Sequence, residues 1–496
     1  MSLDLTVTGG VGGVAASFED MHAAAVVLAG EGDALDALGR WALRLHEDHD
    51  LIASALLCPG GAFAAQAQLL AAVAGPHGLV AAVVDIRLTS LRFEAAADLY
   101  VACEKALAEL LMTRRYFAGR CIAVAAGPVV EAAGGLTVAI VAVKNAAASE
   151  REAGVSVGAA EPVAAGVGDL LPGPVLDLLE DHPFVVDELV GTLPGVISGL
   201  FVADPAAARD YTRETGRFPY PRNIQEAAGM LIPYLRVGRG RAVPVPAGAV
   251  SGSAALEWAP SRLADTIGAV QRRSDESKSA RVPGLIGVRE LPASGRRPRA
   301  WVVELPGTQV WNLTSGPNPL DLATNVQAVA GSTTAYRQAV ASALRGKIPR
   351  GEPVLLVGHS QGGLTAAALA ADPKVREQVN ITHVVTAGSP VAGIDVSPDV
   401  QVLSLENERD LVGHMDATEN APTTGHTTVV FDAPATGAES DHGLDAYRAG
   451  AGAVDASPDP SVRAFLDGAD VFLRADAPAV LHRFQLIRDP AIGIPG

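Results

Sequence analysis

The stretch from Pro353 to Gly363 reads PVLLVGHSQGG and runs straight into LTAAALAA. Four apolar residues, Val354 to Val357, have the character of a buried strand, and the Ala- and Leu-rich run behind Gly363 has the character of a helix. Between them lies Gly358-His359-Ser360-Gln361-Gly362. A strand that turns this sharply into a helix passes it too closely for side chains at the two outer glycines, and it strains the backbone at the serine. The hydroxyl of Ser360 is thereby pushed out at the C-terminal edge of a sheet. A helix starting at Gln361 also aims its free amides and positive dipole end at that place. The pentapeptide alone is weakly specific, but strand, elbow and helix in sequence make Ser360 a candidate nucleophile.

A serine hydroxyl attacks poorly unless an imidazole takes its proton and a carboxylate holds that imidazole in the right tautomer. After such an elbow the acid and then the base follow in the chain. The strand-like VQVLSL is succeeded by ENERDLVGHMD, which puts Asp410 just past a strand end as the expected acid. Farther on, SDHGLDAY sets His442 in a loop before a helix as the expected base. His359, His383, His414 and His426 compete for that role, and Asp416, Asp432 and Asp441 are alternative acids. Acyl transfer also needs two donors for a tetrahedral oxyanion. The Gln361 amide is one by position; WVVELPGTQVW, residues 301–311, offers the Thr308 amide as the second.

From Trp301 to Tyr447 the motif order resembles the class-3 lipases among the α/β hydrolases. The matching pieces are Gly307-Thr308, the elbow through Gly363, Gly388-Ser389-Pro390, Asn407 to Val412 with Asp410, and His442 to Tyr447. The last is one residue longer than that family's usual spacing. The resemblance implies an α/β-hydrolase fold and hydrolysis of acyl esters through an acyl-enzyme on Ser360, with no cofactor and no metal. The substrate it implies is a small-molecule or lipid ester, and the loops 310–322 and 411–425 are expected to overlook the site as lid or acyl pocket.

The flanking texture fits a mostly parallel, doubly wound sheet. Short apolar runs at 285–290, 300–305, 354–357, 383–386, 400–405 and 427–431 alternate with helical stretches at 324–344, 361–371 and 443–450. The Pro-, Gly- and Ser-rich run from Val237 to Ser253 reads as a linker. It divides an all-α region, 1–236, from a hydrolase domain at 254–480 and a tail at 481–496. Within the first region, 1–118 reads as a helical bundle and 119–236 as apolar helices and loops. Phe18 to His46 and Ala62 to Tyr116 resemble the small helical WXG proteins that travel through type VII secretion systems, although Trp41 is followed by Ala42 and Leu43. A second reading therefore treats the chain as an exported effector or interaction protein with a helical targeting module.

The 496 residues carry a formal charge of −17, which repels a phosphate backbone, so nucleic acid is not an expected partner. The basic run from Arg272 to Arg299 reads as a solvated linker face. Cys58, Cys103 and Cys121 read as buried thiols. MSLDLTVTGG has no basic segment, so the expected location is cytoplasmic, or outside the cell without a standard signal peptide. The apolar run from Cys121 to Val143 is interrupted by Gly and Pro and reads as buried helices or a hairpin on a membrane surface.

Overall fold

Strands flanked by helices on both faces must be apolar on both sides, and this is why Ala300–Leu305 (β5) and Pro353–His359 (β6) are buried almost throughout. They lie at the heart of a ten-stranded sheet in a computed structural model. The structure describes residues 3–11, 18–45, 47–125, 190–198, 209, 211–213, 215–232, 235, 238–246, 256–311, 316–416, 418–433, 441–474 and 478–489, with backbone alone at 18–20, 55, 99–111, 113–114, 117–118, 121–125, 256 and 414.

The other strands are Leu5–Gly9 (β1), Gly240–Val245 (β2), Leu256–Trp258 (β3), Leu285–Leu291 (β4), Asn380–Ala387 (β7), Gln401–Asn407 (β8), His426–Phe431 (β9) and Pro478–Arg488 (β10). Their order is β1-β9-β8-β7-β6-β5-β4-β10-β2, with β3 also paired to β10. The five strands β5 to β9 are parallel, and the flanks are antiparallel.

The parallel strands follow one another without a reversal of order, so the doubly wound expectation holds for the layers and fails for the winding. Right-handed crossovers in one direction put their helices on one face. Leu322–Val329 (α7), Ala335–Lys347 (α8) and Gln361–Ala370 (α9) are those crossover helices. Tyr336, Val340, Leu344, Ala366 and Leu369 pack there on Trp301, Val303, Val354 and Leu356. The opposite face is covered by Leu263–Ser279 (α6), Leu444–Ala456 (α11) and Pro460–Gly468 (α12). Ile267, Tyr447, Val454 and Phe465 pack there on Val302, Leu355, Val357 and Leu403. Between β6 and β7 the chain also makes the short helix Pro373–Arg376 (α10).

The single helix expected over 324–344 is two. Gly331, at φ +70°, ends the first, and the Thr334 hydroxyl caps the second by accepting from the Arg337 amide at 3.0 Å. Gly240–Val245, within the expected linker, is a strand, and Pro478–Arg488 runs through the expected boundary at 480/481 as a strand between β4 and β2. Leu5–Gly9, at the start of the expected helical region, pairs with β9. The basic run at 272–299 is no linker face: Arg273 and Arg289 are buried and ion-paired.

The chain divides into two compact units, 15–111 and the remainder. The first holds Phe18–Leu45 (α1), His49–Leu57 (α2), Pro59–Ala74 (α3) and most of Leu79–Ala125 (α4). Ser90 ties α4 to α1 by donating to the Ala25 carbonyl at 2.8 Å. The stretch Pro59–Asp98 is long and apolar enough to cross a membrane by length and composition. Cys58 is exposed, contrary to expectation, while the side chains of Cys103 and Cys121 and most of the 121–143 run lie outside the described residues. In the larger unit, Ile224–Leu231 (α5) is capped by Asn223 and buries Ala227 and Met230 against Ile197 and Tyr211.

Candidate active site

Ser360 closes β6 and opens α9 with φ 53° and ψ −123°, in the left-handed half of backbone space that a non-glycine residue enters only under constraint. The constraint is visible at the neighbouring glycines. A methyl group at Gly358 would stand 2.3 Å from the Gly362 backbone, and one at Gly362 would stand 2.0 Å from the Leu305 carbonyl. Gly307 approaches as closely: a methyl there would meet the Ser360 Cβ at 3.0 Å and the His359 Nδ1 at 3.1 Å. The 306–308 loop therefore lies against the elbow.

Asp410 follows β8, and His442 lies between β9 and α11. Both belong to the same C-terminal rim as Ser360. His442 Nδ1 lies 2.7 Å from Asp410 Oδ2. The Tyr447 hydroxyl donates to that same oxygen at 2.5 Å, and the Val412 amide donates to Oδ1 at 2.8 Å. Burial pushes the Asp410 carboxyl up, but the adjacent His442 and these donors outweigh it and hold the group below its ordinary value. Burial and the neighbouring carboxylate push the Tyr447 hydroxyl well above its ordinary value. An ionised carboxylate accepts, so Nδ1 carries the ring proton and Nε2 is left with its lone pair. Nε2 has no partner among the described residues.

The Ser360 hydroxyl makes no hydrogen bond to His442 among the described residues. The two are joined at one remove. His359 Nε2 lies 2.9 Å from the His442 carbonyl oxygen, and the two rings lie 4.5 Å apart between centroids at 33°. Burial, and then His442, lower the His359 pKa to about 3, so the ring is neutral and donates through Nε2. Such contacts are often long in unliganded enzymes and tighten with substrate.

The amides of Thr308 and Gln361 have no acceptor among the described residues. The Thr308 hydroxyl accepts from Asn325 Nδ2 at 2.9 Å, and Gln361 Nε2 donates to the Asp321 carbonyl at 2.9 Å.

His383, His426, Asp416 and Asp432 are engaged elsewhere. His383 sits edge-on between Phe465 and Phe472, and His426 Nε2 contacts the Ser404 hydroxyl. Burial lowers both to about 4. The side chain of His414 lies outside the described residues. Asp416 accepts from the Ala392 amide, Asp432 pairs with Arg409, and the Asp441 carbonyl accepts from Asn407 Nδ2.

The roles of Tyr447, His359 and Asn407 are absent from the sequence reading. Asn407 bonds Ala433 and Asp441, fastening the acid loop to the histidine loop. Both Asn407 and Tyr447 stand at matched motif positions, which is the signal that points to them. Of the two loops expected to overlook the site, 411–425 lends Asp416 and Thr418 to a cleft of about 240 Å³ that also touches Ile224, Leu364 and Pro390. In the other loop, Val310 bridges to Asp321, and residues 312–315 lie outside the described residues.

No curated protein and no solved structure matches the chain. Residues 324–486 match the family model of the PGAP1-like alpha/beta domain, an α/β-hydrolase type of family. This family differs from the class-3 lipases that the motif order resembles; the hydrolase fold is common to both. The matched residues include Ser360, Asp410 and His442, so the segment that carries the rim just described is an α/β-hydrolase-type domain.

Proposed function

We propose that the protein is a serine hydrolase that cleaves carboxylic esters through an acyl-enzyme on Ser360. The observation that carries this reading is the 2.7 Å contact of His442 Nδ1 with Asp410 at the strand ends beside a strained elbow serine. Nε2 of His442 takes the hydroxyl proton as Ser360 Oγ attacks the ester carbonyl. The carbonyl oxygen becomes an oxyanion, which the Thr308 and Gln361 amides receive. The imidazolium then returns its proton to the departing alkoxide. Water, deprotonated by the same nitrogen, releases the acid and restores Ser360. Asp410 stays ionised throughout, and Tyr447 braces it.

The substrate class we propose is a small-molecule or lipid ester. The cleft that Leu364, one turn along α9 from Ser360, shares with Ile224 and Pro390 supports an acyl group of moderate size. The test is labelling by a fluorophosphonate together with turnover of p-nitrophenyl esters from acetyl to long acyl. Ser360→Ala is expected to abolish both. Undiminished turnover in that variant, or wild-type protein inert to probe and panel alike, overturns the reading.

A further inference from the structure

Two buried charges meet behind the elbow. Arg488, the last residue of β10, and Asp321, the cap of α7, have side chains 3% and 1% exposed. The guanidinium makes a forked pair: Nη1 donates to Asp321 Oδ2 at 2.5 Å and Nη2 to Oδ1 at 2.8 Å. Nη2 also reaches the Thr324 hydroxyl at 2.5 Å, and Nη1 the Gly316 carbonyl at 3.1 Å. Removing two such charges from water is costly, and an apolar pair of similar size would hold a helix end as well or better. What an apolar pair lacks is direction.

Asp321 is the point from which both oxyanion donors are held. Its carbonyl accepts from the Gln361 side chain, and its carboxylate caps α7 by accepting from the Thr324 amide at 2.9 Å. The first turn of α7 presents Asn325, whose amide group fixes the Thr308 hydroxyl. The loop carrying Thr308 is also zipped to this turn, since the amides of Gln309 and Val310 donate to Leu320 and the Leu322 amide donates to Val310. One residue thus braces both segments, the Thr308 side through the α7 turn that its carboxylate caps and the Gln361 side through its main-chain carbonyl.

We infer that the Arg488–Asp321 pair is a positioning device that sets the oxyanion hole. The inference rests on the hydrolase reading above. It assigns to the last strand a part in catalysis, although no atom of Arg488 touches the reacting groups.

The experiment uses the full chain and compares Asp321→Asn, which keeps the helix cap and loses the charge, with Arg488→Met and Arg488→Lys. The kcat for p-nitrophenyl butyrate is measured per active site, counted by burst titration. Inhibition by an alkyl trifluoromethyl ketone, whose adduct places an oxyanion in the hole, is measured beside it. Asp321→Asn and Arg488→Met are expected to lower kcat about 10- to 100-fold with KM within about twofold, and to weaken the ketone by a similar factor. Arg488→Lys recovers part of the loss, and the double variant is no worse than Arg488→Met. Should Arg488→Met fail to fold, Asp321→Asn carries the test alone. Variants that lose only thermal stability, with kcat per site and ketone affinity unchanged, overturn the positioning role and leave the hydrolase reading intact. Wild-type protein without Ser360-dependent turnover overturns both.

Discussion

The ring of His359 donates through Nε2 to the main-chain carbonyl of His442 at 2.9 Å, so the residue before the proposed nucleophile holds the backbone of the proposed base. His359 is covalently next to Ser360, and this hydrogen bond therefore ties together the two loops that exchange a proton in the proposed mechanism. Replacing it with leucine removes the bond and leaves the ring's space partly filled. His359→Leu is expected to lower kcat about 10- to 100-fold with little change in KM, because misplacement of the base acts on the chemical step. His359→Gln, whose amide still donates, is expected to retain more. Equal kcat in all three proteins would show that His442 is held by other contacts.

Tyr447 supplies the other brace. Its hydroxyl reaches Asp410 Oδ2 at 2.5 Å inside the core, where a hydrogen bond to a charged group contributes about 1.5–3 kcal/mol. Tyr447→Phe is expected to destabilise the fold by roughly that amount. The pH dependence follows from the sign. The folded-state value of Asp410 lies below its ordinary one, so its contribution is present above the ordinary carboxylate value and is lost as pH falls through the folded value. Removing the hydroxyl raises that folded value, so the acid limb of the stability curve should move to higher pH. Urea titrations across the acid range measure both effects; parallel curves for the two proteins would contradict the assignment.

What was legible in the sequence was the local part of the site. Val354 to Gly363 specifies strand, turn and helix within one short stretch, and chain order then narrows the acid and the base to a few residues. What was not legible depends on partners distant in the chain. Leu5–Gly9 is a strand because β9 lies beside it, and Val243 and Pro244 form an edge strand because β10 offers a ladder. A proline there reads as loop, yet it is tolerated where one side of the strand has no partner. Arg488 looks like part of a tail until Asp321 appears across 167 positions of chain.

The same limit hid the ion network on the α6 face of the sheet. Glu304 on β5 accepts from Arg289 at 2.6 Å and contacts Arg273 Nε at 3.0 Å. Glu257 and Glu276 complete the set with Arg483. Three acids and three arginines balance, and the central pairs are fully buried. Such a network is not in itself strongly stabilising, but breaking it leaves an uncompensated charge in the core, at a cost of about 3–5 kcal/mol. Glu304→Gln is expected to shift the urea midpoint by an amount corresponding to that range. A shift below about 1 kcal/mol would mean that the two arginines find other acceptors.

His383 gives the fold a sensitivity to acid that is separate from the Asp410–His442 pair. Its ring lies between Phe465 and Phe472, its buried Nε2 has no partner among the described residues, and burial lowers its pKa to about 4. An unfolded chain protonates the same ring near pH 6.5. The unfolded state therefore binds the proton first as the pH falls. Stability from the neutral ring is complete above about pH 6.5 and is lost progressively down to about pH 4, to an extent on the order of 3 kcal/mol. His383→Leu keeps the apolar contacts with both phenylalanines and removes the titration. Its unfolding free energy is expected to vary less with pH than the wild type's between pH 6.5 and 4, by up to one proton in the slope. An unchanged slope would place the acid sensitivity on other groups, with His426 the first to examine, since burial lowers it to about 4 as well.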